Sequence, residues 1–271
     1  MANVAVVTGG AGGIGLGIAR ALAGRGTPLV LADIDGDAAR VAAASLAAEH
    51  GVEVEAREVD VTDPVAMDDL AASIDADVAP VHLLFNNAGV MPVGTLLEHS
   101  ADDWRWVFDV NVLGVANGLR AFVPRMLAHG QPCRVVNTAS MAAFGPSESL
   151  AAYVASKQAV LGLTESLALE LQGTNVAVSV VCPGAVDTEI AQSERNRQAR
   201  YGAASGRRMP IGPEQEKAAL QLISPDEAGR RVVAGVDAGE FWIFTHPEWC
   251  RRLPTRFADA HAASLRTIGT A

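Results

Sequence analysis

The chain has 271 residues and a formal net charge of −10, long enough for one α/β domain with a large core and too acidic to expect nucleic acid or an anionic membrane surface as its partner. No apolar run reaches the ~20 residues of a membrane span, and no charged segment precedes an apolar one at the N-terminus. Three widely spaced cysteines, Cys133, Cys182 and Cys250, give no metal-ligand spacing, so a reducing cytoplasm is the expected compartment.

Val4 to Val7 is a short apolar run that reads as a buried strand. Thr8-Gly9-Gly10-Ala11-Gly12-Gly13-Ile14-Gly15 follows, then a helical pattern over Leu16 to Leu22. Gly10, Gly12 and Gly15 satisfy GxGxxG, while Gly9, Gly13 and Gly15 satisfy GxxxGxG. A glycine turn between strand and helix lets backbone N–H groups approach a pyrophosphate, helped by the helix N-terminus. Pro28 to Ala32 is the second strand and ends at Asp33, 18 residues after Gly15. A carboxylate there suits the adenosine ribose hydroxyls and repels a 2′-phosphate. Asp35 and Asp37 add negative charge and no Lys or Arg lies in the turn, so the expected cofactor is NAD; the alternative is that Asp33 caps the next helix. Gly36 to His50 is an alanine-rich helix, Glu53 to Val59 a strand, and Asp60-Val61-Thr62-Asp63-Pro64 a strand end followed by a capped helix to about Asp75. Val81 to Phe85 is the fourth strand and runs into Asn86-Asn87-Ala88-Gly89, a tight turn.

Ala101 to Ala128 reads as one long helix with Asn111 inside it. That amide either holds a kinked backbone and a water or is a satisfied core residue. Arg134 to Thr138 is the fifth strand, and Ser140 follows it. The helix Leu150 to Leu171 carries Tyr153 and Lys157, four apart and so on one face. A tyrosine near a cation ionises below its usual range of about 10, and a hydroxyl on Ser140 could hold a substrate oxygen beside it: a set suited to proton transfer at an alcohol or carbonyl. A plain amphipathic helix is the alternative, but the chain has only two tyrosines and two lysines. Val176 to Val181 is the sixth strand, ending in Pro183-Gly184-Ala185-Val186-Asp187-Thr188. Ala191 to Pro213 is polar and rich in arginine; residues 188–215 read as a substrate lid whose arginines are solvated or attract an anionic substrate. Ser224-Pro225 opens a helix to about Asp237, Phe241 to Thr245 is a seventh strand, and 246–271 a terminal helix or tail.

Alternating strands and helices predict a single-domain, Rossmann-type, doubly wound parallel sheet of seven strands in the order 3-2-1-4-5-6-7, with the polar motifs at strand carboxyl ends. In order and spacing, Gly9-xxx-Gly13-x-Gly15, Asp60, Asn86-Asn87-Ala88-Gly89, Asn111, Ser140, Tyr153-xxx-Lys157 and Pro183-Gly184 resemble the short-chain dehydrogenase/reductase family, over roughly Ala2 to Thr188 and the final strand. The resemblance implies an NAD-dependent oxidoreductase. Tyr153 would be the general acid/base. Lys157 would bind the nicotinamide ribose and depress the tyrosine pKa, Ser140 would orient substrate, and Asn111 would hold a relay water. Gly9, Gly12, Gly13, Ile14 and Gly15 would cradle the pyrophosphate, with Asp33 and Ile34 at the ribose and Asp60 and Val61 at the adenine. Asn87, Ala88, Pro183, Gly184, Val186 and Thr188 would complete the nicotinamide side. It further implies a homotetramer or homodimer through the long helices and last strand. By similarity of position, Met91, Val93, Met141, Phe144, Ala185 and Ile190 would line an apolar pocket for a hydrophobic secondary alcohol or ketone. The run Phe241 to Glu248 resembles the ending of a branch that includes aryl-alcohol Cα-dehydrogenases. A non-catalytic NAD-sensing or scaffold protein on the same fold is the other class to consider.

Overall fold

The computed structural model describes residues 4–145, 147–208 and 221–268. Seven strands form one sheet: β1 (Val4–Thr8), β2 (Leu29–Asp33), β3 (Val54–Glu58), β4 (Val81–Asn86), β5 (Cys133–Thr138), β6 (Val176–Cys182) and β7 (Trp242–Phe244). Their order is β3-β2-β1-β4-β5-β6-β7 and every pairing is parallel, as the alternating pattern predicts.

Parallel strands need crossovers, and their helices cover both faces. Alternate residues of one strand therefore enter different cores. Val4 and Val6 of β1 join Met67, Trp106, Phe122 and Val160 on one face, while Ala5 and Val7 join Ile18, Leu22, Leu46 and Val232 on the other. The first face is covered by α3 (Pro64–Asp77), α4 (Ala101–Phe108), α5 (Gly114–Ala128) and α6 (Ala151–Glu170); the second by α1 (Gly13–Ala23), α2 (Gly36–His50) and α7 (Pro225–Asp237). Gly17 of α1 and Gly229 of α7 lie backbone to backbone, where a Cβ on either would overlap the other helix. The caps expected from sequence are present: Asp63 accepts from Val65 and Ala66, and Ser224 from Glu227.

Two elements differ from expectation. The helix expected over Ala101 to Ala128 is interrupted by a π turn at Asp109–Leu113, where the Gly114 N–H reaches back to the Asp109 carbonyl. The arm after β6, expected to be irregular, contains two 3₁₀ turns, Glu189–Asn196 and Ala199–Tyr201. The expected lid continues into residues 209–220, outside the described residues. After β7 the chain makes a 3₁₀ turn, Pro247–Arg252, and a last helix, α8 (Leu253–Ile268). No helix among the described residues is long and apolar enough to cross a membrane.

Candidate active site

The sequence-predicted residues lie at or after the carboxyl ends of β1 to β6, except Asn111 in the π turn and Tyr153 and Lys157 on α6. The glycine turn is shaped by close approach. Gly9 adopts φ +63 and Gly13 φ +52, a region that side chains disfavour. A Cβ on Gly9 would stand 2.9 Å from Ala88 Cα, and one on Gly15 would overlap the Gly9 carbonyl. Gly12 differs, because no atom lies within 4 Å of where its Cβ would be, at the open N-cap of α1. Asn87 serves this turn rather than the open crevice. Its Nδ2 donates to the carbonyls of Thr8 and Gly9 at 3.1 and 3.3 Å, and Thr8 Oγ1 accepts the N–H groups of Asn87 and Ala88.

Asp33 ends β2 facing the same turn, its Oδ2 accepting from Ala11 N at 3.0 Å and its Oδ1 from Asp35 N at 3.1 Å. It does not cap α2; Asp35 does, accepting from Ala38 N. Asp60 is held tightly as well. Thr62 donates twice to its Oδ1, and Arg200 and Gln198 donate to its Oδ2 at 2.7 and 3.2 Å. Burial pushes that carboxyl up, but these hydrogen bonds prevail and hold it below the usual carboxylate range.

At the centre, Ser140, Tyr153, Lys157 and Asn111 are all buried. Ser140 caps the 3₁₀ turn Met141–Ala143, its Oγ accepting from Ala142 N at 3.0 Å, and its hydroxyl acts to lower the Tyr153 pKa. Lys157 Nζ donates to the Thr138 carbonyl at 2.8 Å and lies 5.7 Å from the centre of the Tyr153 ring. Burial opposes the ionisation that the spacing of Tyr153 and Lys157 predicts. Burial raises the Tyr153 phenol above its ordinary value, only partly opposed by Ser140. The same burial lowers the Lys157 ammonium to about 8. Both groups lose hydration when charged, and the ammonium is spent on a carbonyl rather than on the phenol oxygen.

Asn111 sits in the π turn with its amide fully used. Its Oδ1 accepts from Val90 N at 2.8 Å, and its Nδ2 donates to Val90 O at 3.0 Å and Ser156 Oγ at 2.9 Å. Both sequence readings of Asn111 thus contain something: the amide is satisfied, and the backbone around it is kinked. Beyond β6, Thr188 brings its methyl within 3.3 Å of the Gly13 Cβ position. Gly184 is wedged against the His246 ring and donates to Thr245 Oγ1 at 3.1 Å, so β7 fixes the Pro183-Gly184 turn. Val186 bridges to Ile223.

Of the pocket residues expected from position, Val93 and Met141 are buried and Met91, Ala185 and Ile190 half-buried. Phe144 packs elsewhere, its ring 5.9 Å from Trp242 and 6.1 Å from Phe244 at the sheet edge.

The arm arginines differ among themselves: Arg195 and Arg200 are paired but half exposed, as a solvated arm would have them, whereas Arg197 is buried. Its side chain is 3% exposed, pairs with Asp103 at 2.5 Å and covers the Trp106 ring at 5.1 Å. Arg207 donates to the Glu98 carbonyl, and Arg195 pairs with Glu189. Ser193, Arg197 and Tyr201, with their partners Met91, Asp103 and Asp109, carry no sequence motif. Only the Ser100-x-x-Asp103 capping box hints that Asp103 has a local role.

Comparison with known proteins gives a consistent result. A family model described as short chain dehydrogenase matches residues 3–199. The chain is 39% identical over 259 residues to 1-deoxy-11-beta-hydroxypentalenate dehydrogenase of Streptomyces avermitilis, covering 95% of this chain and 89% of the relative. It is 32% identical over 253 residues to C alpha-dehydrogenase of a Sphingobium species, covering 91% and 81%. A short chain dehydrogenase/reductase of Burkholderia phymatum solved in complex with NAD superposes with a TM-score of 0.85 at 37% identity, over 96% of this chain and 95% of that one. Other structural relatives hold 5-hydroxy-NADP or NADPH.

Proposed function

The chain belongs to the short-chain dehydrogenase family and is an oxidoreductase, and from that premise we propose that it moves a hydride between NAD and a hydrophobic secondary alcohol or ketone, with Tyr153 as general acid/base. The observation that carries this reading is the burial of Ser140, Tyr153 and Lys157 together, with Lys157 Nζ 5.7 Å from the centre of the Tyr153 ring, at a strand separated from that of the glycine turn by β4 alone.

The residues fit a dinucleotide. Gly12 leaves open space at a helix N-terminus with no acidic residue in its first turn, which favours an anion there. The backbone of Gly9, Gly12, Gly13, Ile14 and Gly15 would hold the pyrophosphate. Asp33 and Ile34 would hold the adenosine ribose, and Asp60 and Val61 the adenine. Asn87 and Ala88 would back the crevice, and Pro183, Gly184, Val186 and Thr188 would flank the nicotinamide. When bound, the nicotinamide supplies the hydride acceptor or donor. Ser140 orients the substrate oxygen. Tyr153 takes the alcohol proton in oxidation and returns it in reduction. Lys157 holds the nicotinamide ribose and passes the proton on, with Asn111 fixing the turn beside it. Asp33 supports NAD over NADP, since its carboxylate is anchored toward the turn and no Lys or Arg lies in the glycine turn or just after Asp33 in sequence.

The apolar lining from Met91, Val93, Met141, Ala185 and Ile190 supports a hydrophobic substrate, and the pentalenate-type relative names a hydroxylated one. The described part of the expected lid, residues 188–208, would cover that substrate, within a single catalytic domain. Exposed Leu113 and Leu169, on the α5 and α6 side, support pairing of subunits as a homotetramer or homodimer.

A panel of secondary alcohols and ketones with NAD and NADP, followed at about 340 nm, tests the reading. Tyr153→Phe should lower turnover by about 10³-fold while NADH binding persists. Turnover equal to the wild type would remove Tyr153 as the acid/base, and binding without any turnover across the panel would favour an NAD-sensing protein.

A further inference from the structure

The arm after β6 returns to the helix that carries Asn111 and grips it at two points. Arg197 Nη1 pairs with Asp103 near the start of α4 at 2.5 Å. Tyr201 Oη donates to Asp109 Oδ2 at 2.8 Å, and Asp109 is the first residue of the π turn. The same guanidinium donates through Nε and Nη2 to the Tyr201 carbonyl at 3.2 and 2.6 Å, so the two grips are one rigid piece. Asp103 and Asp109 are six residues apart, about 9 Å along a helix, and the bracket spans the buried Trp106 between them.

The path continues beyond the bracket. From the π turn, Asn111 Nδ2 donates to Ser156 Oγ at 2.9 Å, and Ser156 Oγ donates to the Tyr153 carbonyl at 2.7 Å. A π turn is a local compromise in hydrogen-bond register, and its neighbouring α registers compete with it. An external tie on its first residue biases that competition.

We propose that Tyr201 and Arg197 are positioning residues which hold the Asp109–Leu113 π turn in register, and through Asn111 and Ser156 set the placement of Tyr153 when the arm is seated. The arm then does more than cover the substrate, because its seating and the geometry of the acid/base are one event. This rests on Tyr153 being the acid/base only for its catalytic consequence; the mechanical link stands on the hydrogen bonds alone.

Hydrogen exchange read by mass spectrometry on the full chain tests the link without a substrate. Tyr201→Phe removes one hydroxyl and keeps the ring. Exchange should quicken about 10-fold, the loss of one hydrogen bond to a charged group, both in residues 189–201 and in residues 109–115. Asp109→Asn with Tyr201 intact keeps an acceptor for the hydroxyl and should retain most of the wild-type protection. Arg197→Lys is the second probe and should loosen the same two segments. Quickening confined to 189–201, with 109–115 unchanged, overturns the proposal. In the kinetic arm, with 1-phenylethanol as probe, Tyr201→Phe should lower kcat about 10-fold while KM and the NADH dissociation constant stay within about two-fold. Unchanged kcat in an active enzyme also overturns it. If the wild type does not oxidise the probe, the alcohol assignment is what fails for that compound, and the exchange measurement alone decides the link.

Discussion

The glycine turn at residues 9–15 and the arm at residues 189–208 border the same crevice but are held by different physics. Around the turn the constraints act at backbone distance. Gly15 has no room for a Cβ beside the Gly9 carbonyl, Gly9 none beside Ala88, and Asn87 and Asp33 are bonded to the turn's main chain. The arm is held at the tips of long side chains, by Arg197 on Asp103 and Arg200 on Asp60, partners 94 and 140 residues away. Close packing of backbone tolerates one residue type and one conformation. A guanidinium reaching a carboxylate tolerates many backbones, provided the charge arrives and is paired once buried. The first arrangement suits a cofactor cradle, and the second suits a cover that must release and reseat.

The contrast breaks first at Arg197. Arg197→Met strips buried Asp103 of its nearest cation and leaves it Arg207 at 3.7 Å and the Ser100 N–H, an outcome that should cost about 3 kcal/mol in a urea titration, whereas Arg195→Met, at a half-exposed pair with Glu189, should leave the midpoint in place. Equal effects would mean that the arm is not anchored by burial of charge. On the other side, Gly15→Ala should cost about 3 kcal/mol through overlap with main chain. Gly12→Ala, at an ordinary extended φ with no atom within 4 Å, should change stability by less than about 0.5 kcal/mol and still weaken NADH binding. If Gly12→Ala binds NADH as the wild type does, the pyrophosphate does not approach that backbone.

This difference also explains what could be read in advance. The strand order follows from apolar runs alternating with helices, and the residues that gather in the crevice, from Gly9 to Thr188, are marked because a tight turn or a strand end restricts their type. The π turn at Asp109–Leu113 is marked only by the polar Asn111 within it, because one extra residue between hydrogen bonds hardly changes the apolar period of Ala101 to Ala128. Arg197 looked like its exposed neighbours because burial at the end of a long stem depends on a partner 94 residues off. Phe144 was placed in the pocket because its aromatic partners come from β7, a pairing no local spacing encodes. The electrostatic balance at Tyr153 is hidden from the sequence for a related reason. Spacing puts Lys157 on the same face, but burial, a property of the whole fold, sets the sign for both groups.

That sign has a consequence for stability. Lys157 titrates at about 8 in the fold against an ordinary 10.5, so below pH 8 the folded chain carries a desolvated ammonium at a cost of about 3 kcal/mol. Lys157→Met relieves it but orphans the Thr138 carbonyl, worth about 1 kcal/mol. The variant should therefore be about 2 kcal/mol more stable at pH 7. Between pH 8 and 10.5 the unfolded state binds more protons at this site than the folded one, so wild-type stability rises with pH from this group and the advantage of the variant shrinks. Denaturant titrations at pH 7 and 10 measure the gap; a variant less stable than wild type at pH 7 would place the net cost elsewhere.

The smallest effect separates the two kinds of anchoring within one residue. Asp33 both accepts main-chain hydrogen bonds from Ala11 and Asp35 and carries a charge toward the place proposed for the adenosine ribose. Asp33→Ala removes both functions, while Asp33→Asn keeps an acceptor and removes the charge. If repulsion of a 2′-phosphate governs cofactor choice, both variants should raise the NADPH to NADH ratio of kcat/KM by about 10-fold, equivalent to about 1.4 kcal/mol, because Asp35 and Asp37 remain to oppose the phosphate. If the shape of the glycine turn governs it, only Asp33→Ala should move the ratio, and it should weaken NADH binding at the same time. The backbone-anchored side of the crevice would then owe its selectivity to geometry, with charge mattering chiefly on the side held by arginines.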